Sequence, residues 1–339
     1  MTDPPDGAPR PRTPRRAGAG VGPAITFALS AFLLFTGGSL WLMLYPPVPL
    51  DLGGVPSLDS AARHVALPMP GDQPLDLWAL PGTKPAVVLL LHGYGRDHHR
   101  EWRYAQFLRR AGYGVVTLDF RSSRSRDRKP TTMGAFEIED ADSALAWVTR
   151  SPDFAGARIG LFGESLGGSV ALALAARHPQ IEAVVVDCPF ASARRALEDT
   201  FQYWLLLPGQ VPAAFAVGLG RTLTGRDLAT LDVMAAAESL RSRPIFFIHS
   251  LDDDRMRPAQ VDDLWRAAGA KDSVWLADGG HNEAWMRHRA EYERRVLAFY
   301  GGTIGAPIAA RQTPAAGAPA APRPPATPHP PAAAGRRRS

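Results

Sequence analysis

The longest apolar run lies near the start of the chain. No charged residue occurs from position 17 to position 50, and the segment Val21–Tyr45 is apolar and long enough to cross a bilayer as one helix. Trp41 and Tyr45 stand at its far end, where amphipathic rings favour the membrane interface, and the following prolines end the helix. The pattern therefore predicts a transmembrane helix over 21–45.

Two other interpretations of this segment fit less well. A cleaved signal peptide has a shorter apolar stretch and a small-residue cleavage site, whereas this segment ends in LWLMLYPP. A core helix of a soluble domain would need a polar face, which this stretch lacks. Four arginines precede the span and the next basic residue is Arg63, so we expect the N-terminus in the cytoplasm and the large downstream domain on the other side.

Beyond the apolar segment, short apolar runs alternate with amphipathic helical stretches. This alternation is typical of an α/β domain in which a mostly parallel sheet carries helices on both faces. An antiparallel hairpin over 63–68 and 75–80 is expected at the sheet edge. The predicted strands are Ala86–Leu91, Gly114–Asp119, Arg158–Phe162, Ile181–Asp187, Pro244–Ile248 and Ser273–Leu276, and the predicted helices are about 101–111, 134–150, 166–177, 258–268 and 283–300.

Composition and charge divide the chain into four parts. The 339 residues are 45% hydrophobic and 21% charged, which suits a folded domain, and the single cysteine excludes a disulfide scaffold or a cysteine zinc site. Residues 1–20 carry +2 and the Pro/Ala-rich residues 303–339 carry +5, so the rest is slightly acidic despite the net +5. We predict disordered ends at 1–20 and 303–339 around a body at 51–302, and no nucleic-acid binding.

A serine motif follows the strand that begins at Arg158. The chain reads Gly163-Glu164-Ser165-Leu166-Gly167-Gly168, which is G-x-S-x-G between a predicted strand and a predicted helix. A nucleophilic serine on so tight a turn needs glycines two residues before and after it. An anion-binding or merely packed glycine turn is the alternative interpretation of this segment.

Three other strand ends supply the remaining parts of a hydrolytic site. The amides of Tyr94, after His92, and of Leu166 would form an oxyanion hole, while His92 itself is expected to hold the loop. The predicted orienting acid is Asp253, with Asp254 as the alternative acid. His281, on a glycine-rich loop after the last strand, is the predicted base.

Two groups of residues offer atoms of the kinds that bind metals. His98 and His99 could bind zinc together with Glu101, but adjacent histidines rarely share one ion. The aspartates at 252–254 lack the spacing and the glycine of a calcium loop. We therefore expect neither a metal nor a cofactor.

Taken together, these residues resemble the α/β-hydrolase superfamily, particularly its lysophospholipase-like and serine-aminopeptidase-like branch of membrane-anchored hydrolases. The resemblance covers about 62–300 and implies an α/β-hydrolase fold with a small helical cap at about 189–243, and the triad Ser165, Asp253 and His281. The family's acid loop usually reads HG-x-x-D, and Ser250 replaces that glycine here. The resemblance rests on LLLHGYGRDHHREW, VVTLDFRSSRSR, TTMGAFEIEDADSALAWV, LFGESLGGSVALALAARHP, FFIHSLDDDRMRP and DGGHNEAW.

The expected function is that of a membrane-anchored serine hydrolase that cleaves small-molecule or lipid esters outside the cytoplasm. A serine aminopeptidase of the same fold is the alternative, and it would need an acidic group near the cap, such as Glu198 or Asp199, to hold the substrate amine. An alternative of another class is a non-catalytic binding module on this scaffold. Such proteins typically lack a triad member, and all three are present here.

Overall fold

The computed structural model describes residues 21–47, 57–123, 129–205, 208–270 and 273–305. The predicted disordered ends lie outside these residues, apart from positions 303–305. The predicted membrane helix is α1, Val21–Leu44, and it is long and apolar enough to cross a bilayer.

Eight strands form one sheet, as the apolar pattern predicts. Their spatial order is β1-β2-β4-β3-β5-β6-β7-β8. The first hairpin pairs antiparallel and continues antiparallel onto β4, and the other pairs are parallel. The strands are β1 Arg63–Leu67, β2 Leu75–Leu80, β3 Ala86–Leu91, β4 Gly114–Leu118, β5 Arg158–Glu164, β6 Ile181–Asp187, β7 Ile245–Ser250 and β8 Val274–Ala277.

Nine helices follow α1 in the described part of the chain. They are α2 His98–Arg110, α3 Ala135–Arg150, α4 Leu166–Arg177, α5 Ala193–Leu205, α6 Gln210–Thr224, α7 Val233–Ser239, α8 Pro258–Ala268, α9 Ala284–Arg287 and α10 Arg289–Gly302. Two predicted helices differ from the structure, and β5 and β7 each end two residues later than predicted. Helix α2 starts earlier because the Asp97 side chain accepts from the His99 amide and caps it. The single helix expected over 283–300 is broken at His288, whose backbone leaves the helical region.

Apolar side chains fill both faces of the sheet. Successive strand residues point to opposite sides, so Val87 and Leu89 belong to one core cluster, and Val88 and Leu90 to the other. All six residues of β3 are buried, as expected for a strand covered on both faces. Because these strands pair parallel, the carboxyl ends of β3, β5, β6, β7 and β8 lie along one edge of the sheet.

The insertion between β6 and β7 contains α5, α6 and α7. Helix α7 packs on α4 and α8 of the body, whereas α5 and α6 pack together and contact the end of α1. Leu40 and Leu44 of α1 are buried in this second contact. Their partners in the cluster are Leu197, Phe201, Ala213, Ala216 and Leu228.

Candidate active site

Ser165 occupies a sharp turn between β5 and α4. Its φ is +54° and its ψ is −117°, a conformation that a non-glycine residue rarely adopts. Its amide donates to the Asp187 carbonyl at 2.7 Å, which ties the turn to the end of β6. Strained residues of this kind cluster at functional sites because the surrounding structure must hold them.

Close backbone contacts explain the two glycines of the motif. A Cβ on Gly163 would lie 2.3 Å from the Gly167 carbonyl oxygen, and one on Gly167 would lie 2.0 Å from the Leu91 carbonyl oxygen. Both separations are far below van der Waals contact, so no side chain fits at either position. The glycines therefore let the start of α4 press against β3 while Ser165 projects from the turn.

The three predicted triad residues meet at the carboxyl edge of the sheet. The His281 Nε2 atom lies 3.0 Å from Ser165 Oγ, and its Nδ1 atom lies 2.6 Å from Asp253 Oδ2. Residues 165, 253 and 281 are far apart in sequence and come from the loops after β5, β7 and β8. The arrangement pairs a hydroxyl with a base, and the base with an orienting carboxylate.

The structure distinguishes the two candidate acids. Asp253 is buried, and its Oδ1 accepts the backbone amides of Arg255 and Met256 at 3.1 and 2.8 Å. Burial alone would raise the pKa of Asp253, but its hydrogen bond to His281 and the histidine's charge, with the Met256 amide, hold that pKa below its usual value. Asp254 is exposed and turned to solvent.

The neighbouring Asp252 has a different part in the site. Its amide donates to the Gly279 carbonyl at 3.1 Å, and its carboxylate accepts the Gly279 amide at 3.2 Å. These two bonds join the acid loop to the loop that carries His281. The run of three aspartates thus contains one group that contacts the base, one that joins the loops and one in solvent.

The loop after β3 lies beside Ser165. A Cβ on Gly93 would lie 3.4 Å from the Ser165 Cβ. The His92 Nε2 accepts from the Phe120 amide at 3.1 Å, so its Nδ1–H donates to the Gly93 carbonyl at 2.8 Å. Burial lowers the pKa of His92, which keeps this ring neutral and agrees with a loop-holding role. Tyr94 comes next in this loop, and Leu166 is the first residue of α4, where helix amides lack internal acceptors.

A buried polar layer beneath the triad was not anticipated from the sequence. Glu164 accepts from Arg100 Nε at 3.1 Å and from the Tyr104 hydroxyl at 2.7 Å. Burial favours its protonation, but the charges of Arg100 and Arg103 hold the pKa of Glu164 below its usual value. The residue preceding Ser165 is therefore a buried carboxylate. The glutamate inside the serine motif was a visible signal, but its partners on α2 were not.

Asp187, at the end of β6, belongs to the same layer. Its Oδ2 accepts from the Tyr292 hydroxyl at 2.8 Å, while Oδ1 has no hydrogen-bond partner among the described residues. Burial and the nearby charge of Glu164 raise the pKa of Asp187 to about 6. A carboxyl group that retains its proton into the mildly acidic range thus lies beside the serine turn.

Other residues singled out in the sequence have different surroundings. Cys188 is buried, and burial raises the pKa of its thiol, which argues against a nucleophile. Glu101 is fully buried and does not join His98 and His99, so the zinc grouping considered as an alternative is not formed with Glu101. Asp199 accepts from Gln260 Nε2 at 2.8 Å and also faces Arg257.

Comparison with known proteins agrees with this fold. Residues 86–268 match the family described as the alpha/beta hydrolase fold. The chain is 26% identical to the protein YqkD of Bacillus subtilis over 228 residues, 65% of this chain and 72% of that protein. The esterase Pf2001 of Pyrococcus furiosus superposes with a TM-score of 0.63 and 23% identity, over 78% of this chain and 99% of that one.

A peptidase is also similar in structure. The acylaminoacyl peptidase of Pyrococcus horikoshii superposes with a TM-score of 0.53 and 18% identity, over 70% of this chain and 41% of that one. At these identities the two solved structures share the fold, and they do not discriminate between ester and amide substrates.

Proposed function

The chain belongs to the alpha/beta hydrolase family, and from this premise we propose that it is a membrane-anchored serine hydrolase that cleaves carboxylic esters. The observation that carries the proposal is the continuous contact from Ser165 through His281 to Asp253, at 3.0 and 2.6 Å. Hydrolases of several folds use this constellation for acyl transfer.

Each member of the triad has a separate role in the proposed reaction. The His281 Nδ1–H donates to Asp253, which leaves Nε2 free to accept the Ser165 proton as Oγ attacks the ester carbonyl. The imidazolium then gives that proton to the departing alcohol, and an acyl-enzyme remains. Water, activated by the same Nε2, attacks the acyl group and releases the acid and Ser165.

Two backbone amides would stabilise the negative oxygen of the tetrahedral intermediates. We assign them to Tyr94 and Leu166, because the loop after β3 lies against Ser165 and the first turn of α4 presents unpaired amides. The positive end of the α4 dipole favours the same oxygen. One such donor contributes about 3–4 kcal/mol to the barrier in well-studied acyl-transfer enzymes.

The end of α1 contacts the loop after β3 that carries Tyr94. This contact supports a position of the active site at the membrane surface. The Tyr94 hydroxyl donates to the Met43 carbonyl at 2.7 Å, and the Thr131 amide donates to the Leu44 carbonyl at 2.8 Å. The last carbonyls of a helix normally lack hydrogen-bond donors. Here the α/β domain supplies donors to two of them at the end of α1. With α1 across the bilayer and its arginine-rich flank in the cytoplasm, the body would lie on the extracytoplasmic surface.

An apolar surface beside α1 favours lipid esters as substrates. The sequence has no charged residue between Asp199 and Arg221, and Val211 and Leu223 of α6 are exposed. The Phe32 and Phe215 rings, on α1 and α6, are 6.4 Å apart, so a bilayer around α1 would also contact α6. A substrate that partitions into the membrane would reach Ser165 along this surface.

The peptidase alternative receives less support from the site. Asp199, one of the two acids considered for binding a substrate amine, is already engaged by Gln260 and Arg257. A new cation would have to displace these partners, which lowers the affinity that the carboxylate can provide.

The test is hydrolysis of p-nitrophenyl esters of increasing acyl length by the full chain in detergent, beside aminoacyl p-nitroanilides. Ser165→Ala should lower kcat/KM for esters by about 10⁴-fold or more, and Ser143→Ala, at a half-buried position in α3, should leave it unchanged. Faster cleavage of the anilides would favour the peptidase. Folded protein with no turnover and no labelling by a fluorophosphonate would contradict the hydrolase and favour a binding module.

A further inference from the structure

Two adjacent histidines at the start of α2 face an aspartate from the segment ahead of β1. The His98 Nε2 atom lies 3.4 Å from Asp59 Oδ1, and the His99 Nε2 atom lies 3.3 Å from Asp59 Oδ2. One atom from each of the three side chains lies within 4.8 Å of the other two. The proposed hydrolysis uses none of these residues.

The separations suit ligands of one metal ion better than hydrogen bonds. An N–H···O hydrogen bond has its heavy atoms about 2.7–3.2 Å apart, shorter than both histidine–aspartate distances. Zinc binds imidazole nitrogen and carboxylate oxygen at about 2.0–2.2 Å, so neighbouring ligand atoms of a tetrahedral ion lie about 3.4 Å apart. The 3.4 and 3.3 Å distances, each to a different oxygen of Asp59, are close to that edge length.

Both imidazole rings have a carboxylate on the side away from Asp59. The His98 Nδ1 atom lies 3.0 Å from both Asp119 oxygens, and the His99 Nδ1 atom lies 3.3 Å from Asp97 Oδ2. Histidines that bind metals usually donate the other ring N–H to such a carboxylate. The contacts favour a proton on each Nδ1, which directs the Nε2 lone pairs toward Asp59.

Two tryptophans orient His98 and Asp59 without a bound ion. Trp78 stacks on the His98 ring, with centroids 3.4 Å apart and an interplanar angle of 14°. Trp102 Nε1 donates to Asp59 Oδ1 at 3.0 Å. Asp59 and His99 remain partly open to solvent, which leaves room for a water ligand and a route for entry.

We propose that Asp59, His98 and His99 form a binding site for one divalent transition-metal ion, best matched by zinc, with water completing its coordination. Two imidazoles and one carboxylate suit zinc, whereas calcium and magnesium prefer all-oxygen sites. The ion would join the segment ahead of β1 to α2 and thereby stabilise the loop between β3 and α2. The site is independent of the proposed hydrolytic reaction.

The experiment uses the full chain in detergent, without a polyhistidine tag and stripped of metal with a chelator. Zn²⁺ is titrated by calorimetry, and Co²⁺ is added separately to record its visible d–d absorption, which is strong for tetrahedral coordination. We expect one equivalent to bind, and a rise in Tm with Zn²⁺. Asp59→Asn and His99→Gln should each weaken binding at least tenfold and remove that rise.

The matched control is His64→Gln, because His64 also faces an aspartate, with Nε2 2.7 Å from Asp76 Oδ1, but belongs to no group of three possible metal ligands among the described residues. Its affinity for Zn²⁺ should equal that of the parent. Equal binding by the parent, Asp59→Asn and His99→Gln would overturn the proposal, as would failure of the parent to bind. Loss of binding in Asp253→Asn alone would also overturn it, because it would place the ion at the buried Cys188, His249 and Asp253.

Discussion

Asp253 and Asp254 are neighbours in sequence but lie in opposite environments. The carboxylate of Asp253 is buried, accepts two backbone amides and contacts His281, while Asp254 faces solvent. A buried carboxylate beside Nδ1 fixes the imidazole tautomer and stabilises its cation, which a solvated carboxylate cannot do. For single residues, the proposed role of Asp253 as the orienting acid therefore rests on its burial and contacts, since residue type does not separate it from Asp254.

Replacing each aspartate tests this assignment. Asp253→Asn should lower kcat/KM for esters by about 10³–10⁴-fold, because an amide can favour the wrong tautomer of His281. Asp254→Asn should change it by less than about threefold, since a solvated charge contributes little. Ester hydrolysis by the two purified variants is the measurement. A larger loss in Asp254→Asn would exchange the two assignments.

At the scale of elements, the turn between β5 and α4 depends on close backbone contact. A side chain at Gly167 would meet the Leu91 carbonyl at the end of β3, and backbone cannot move aside as a flexible side chain can. Any displacement of α4 would also move Ser165, whose amide bonds to β6. The packing of α4 on β3 and the position of Ser165, the proposed nucleophile, therefore depend on the same backbone contacts.

Gly167→Ala should reduce folding stability by about 3 kcal/mol and ester turnover by about 100-fold or more, because the clash shifts the nucleophile. Gly218→Ala is the control, since a Cβ there has no neighbour within 4 Å. It should stabilise α6 by up to about 1 kcal/mol, because alanine favours helix more than glycine does. Denaturant unfolding with an ester assay checks both variants. Wild-type behaviour of Gly167→Ala would contradict the contact.

At the scale of the whole molecule, the layer under the triad links stability to pH. The folded chain holds a proton on Asp187 up to about pH 6, whereas the ordinary aspartate pKa is 3.8. The folded state therefore binds more protons than the unfolded state between these pH values. The contribution of protonated Asp187 to the free energy of unfolding is full below about pH 4 and is lost as the pH rises to about 6. The difference between the two pKa values corresponds to about 3 kcal/mol.

Asp187→Asn should remove this loss, because the amide stays neutral and can still accept from the Tyr292 hydroxyl. Relative to the parent, the variant should gain up to about 3 kcal/mol of unfolding free energy between pH 4 and pH 7. Denaturant unfolding at several pH values measures the gain. Asp254→Asn serves as the exposed control, with no comparable change expected. A difference that is constant across this range would show that Asp187 does not retain its proton.

Local sequence pattern is enough to predict the secondary structure and the serine turn of this protein. The apolar run gives α1, the alternation gives the eight strands, and the glycine spacing marks Ser165. The chain order of strand ends was enough to predict that the loops bearing Asp253 and His281 would meet Ser165, because parallel strands end at one edge.

The burial of individual groups and the identity of their partners depend on how the elements pack in the tertiary structure. Periodicity cannot show that Asp253 is enclosed and Asp254 is not, or that Glu164 and Asp187 share a layer with α2 and α10. Periodicity also does not show that Asp59 lies beside His98 and His99, or that the end of α1 contacts Tyr94. These contacts join residues distant in sequence, and they form only when the packing of the elements brings those residues together.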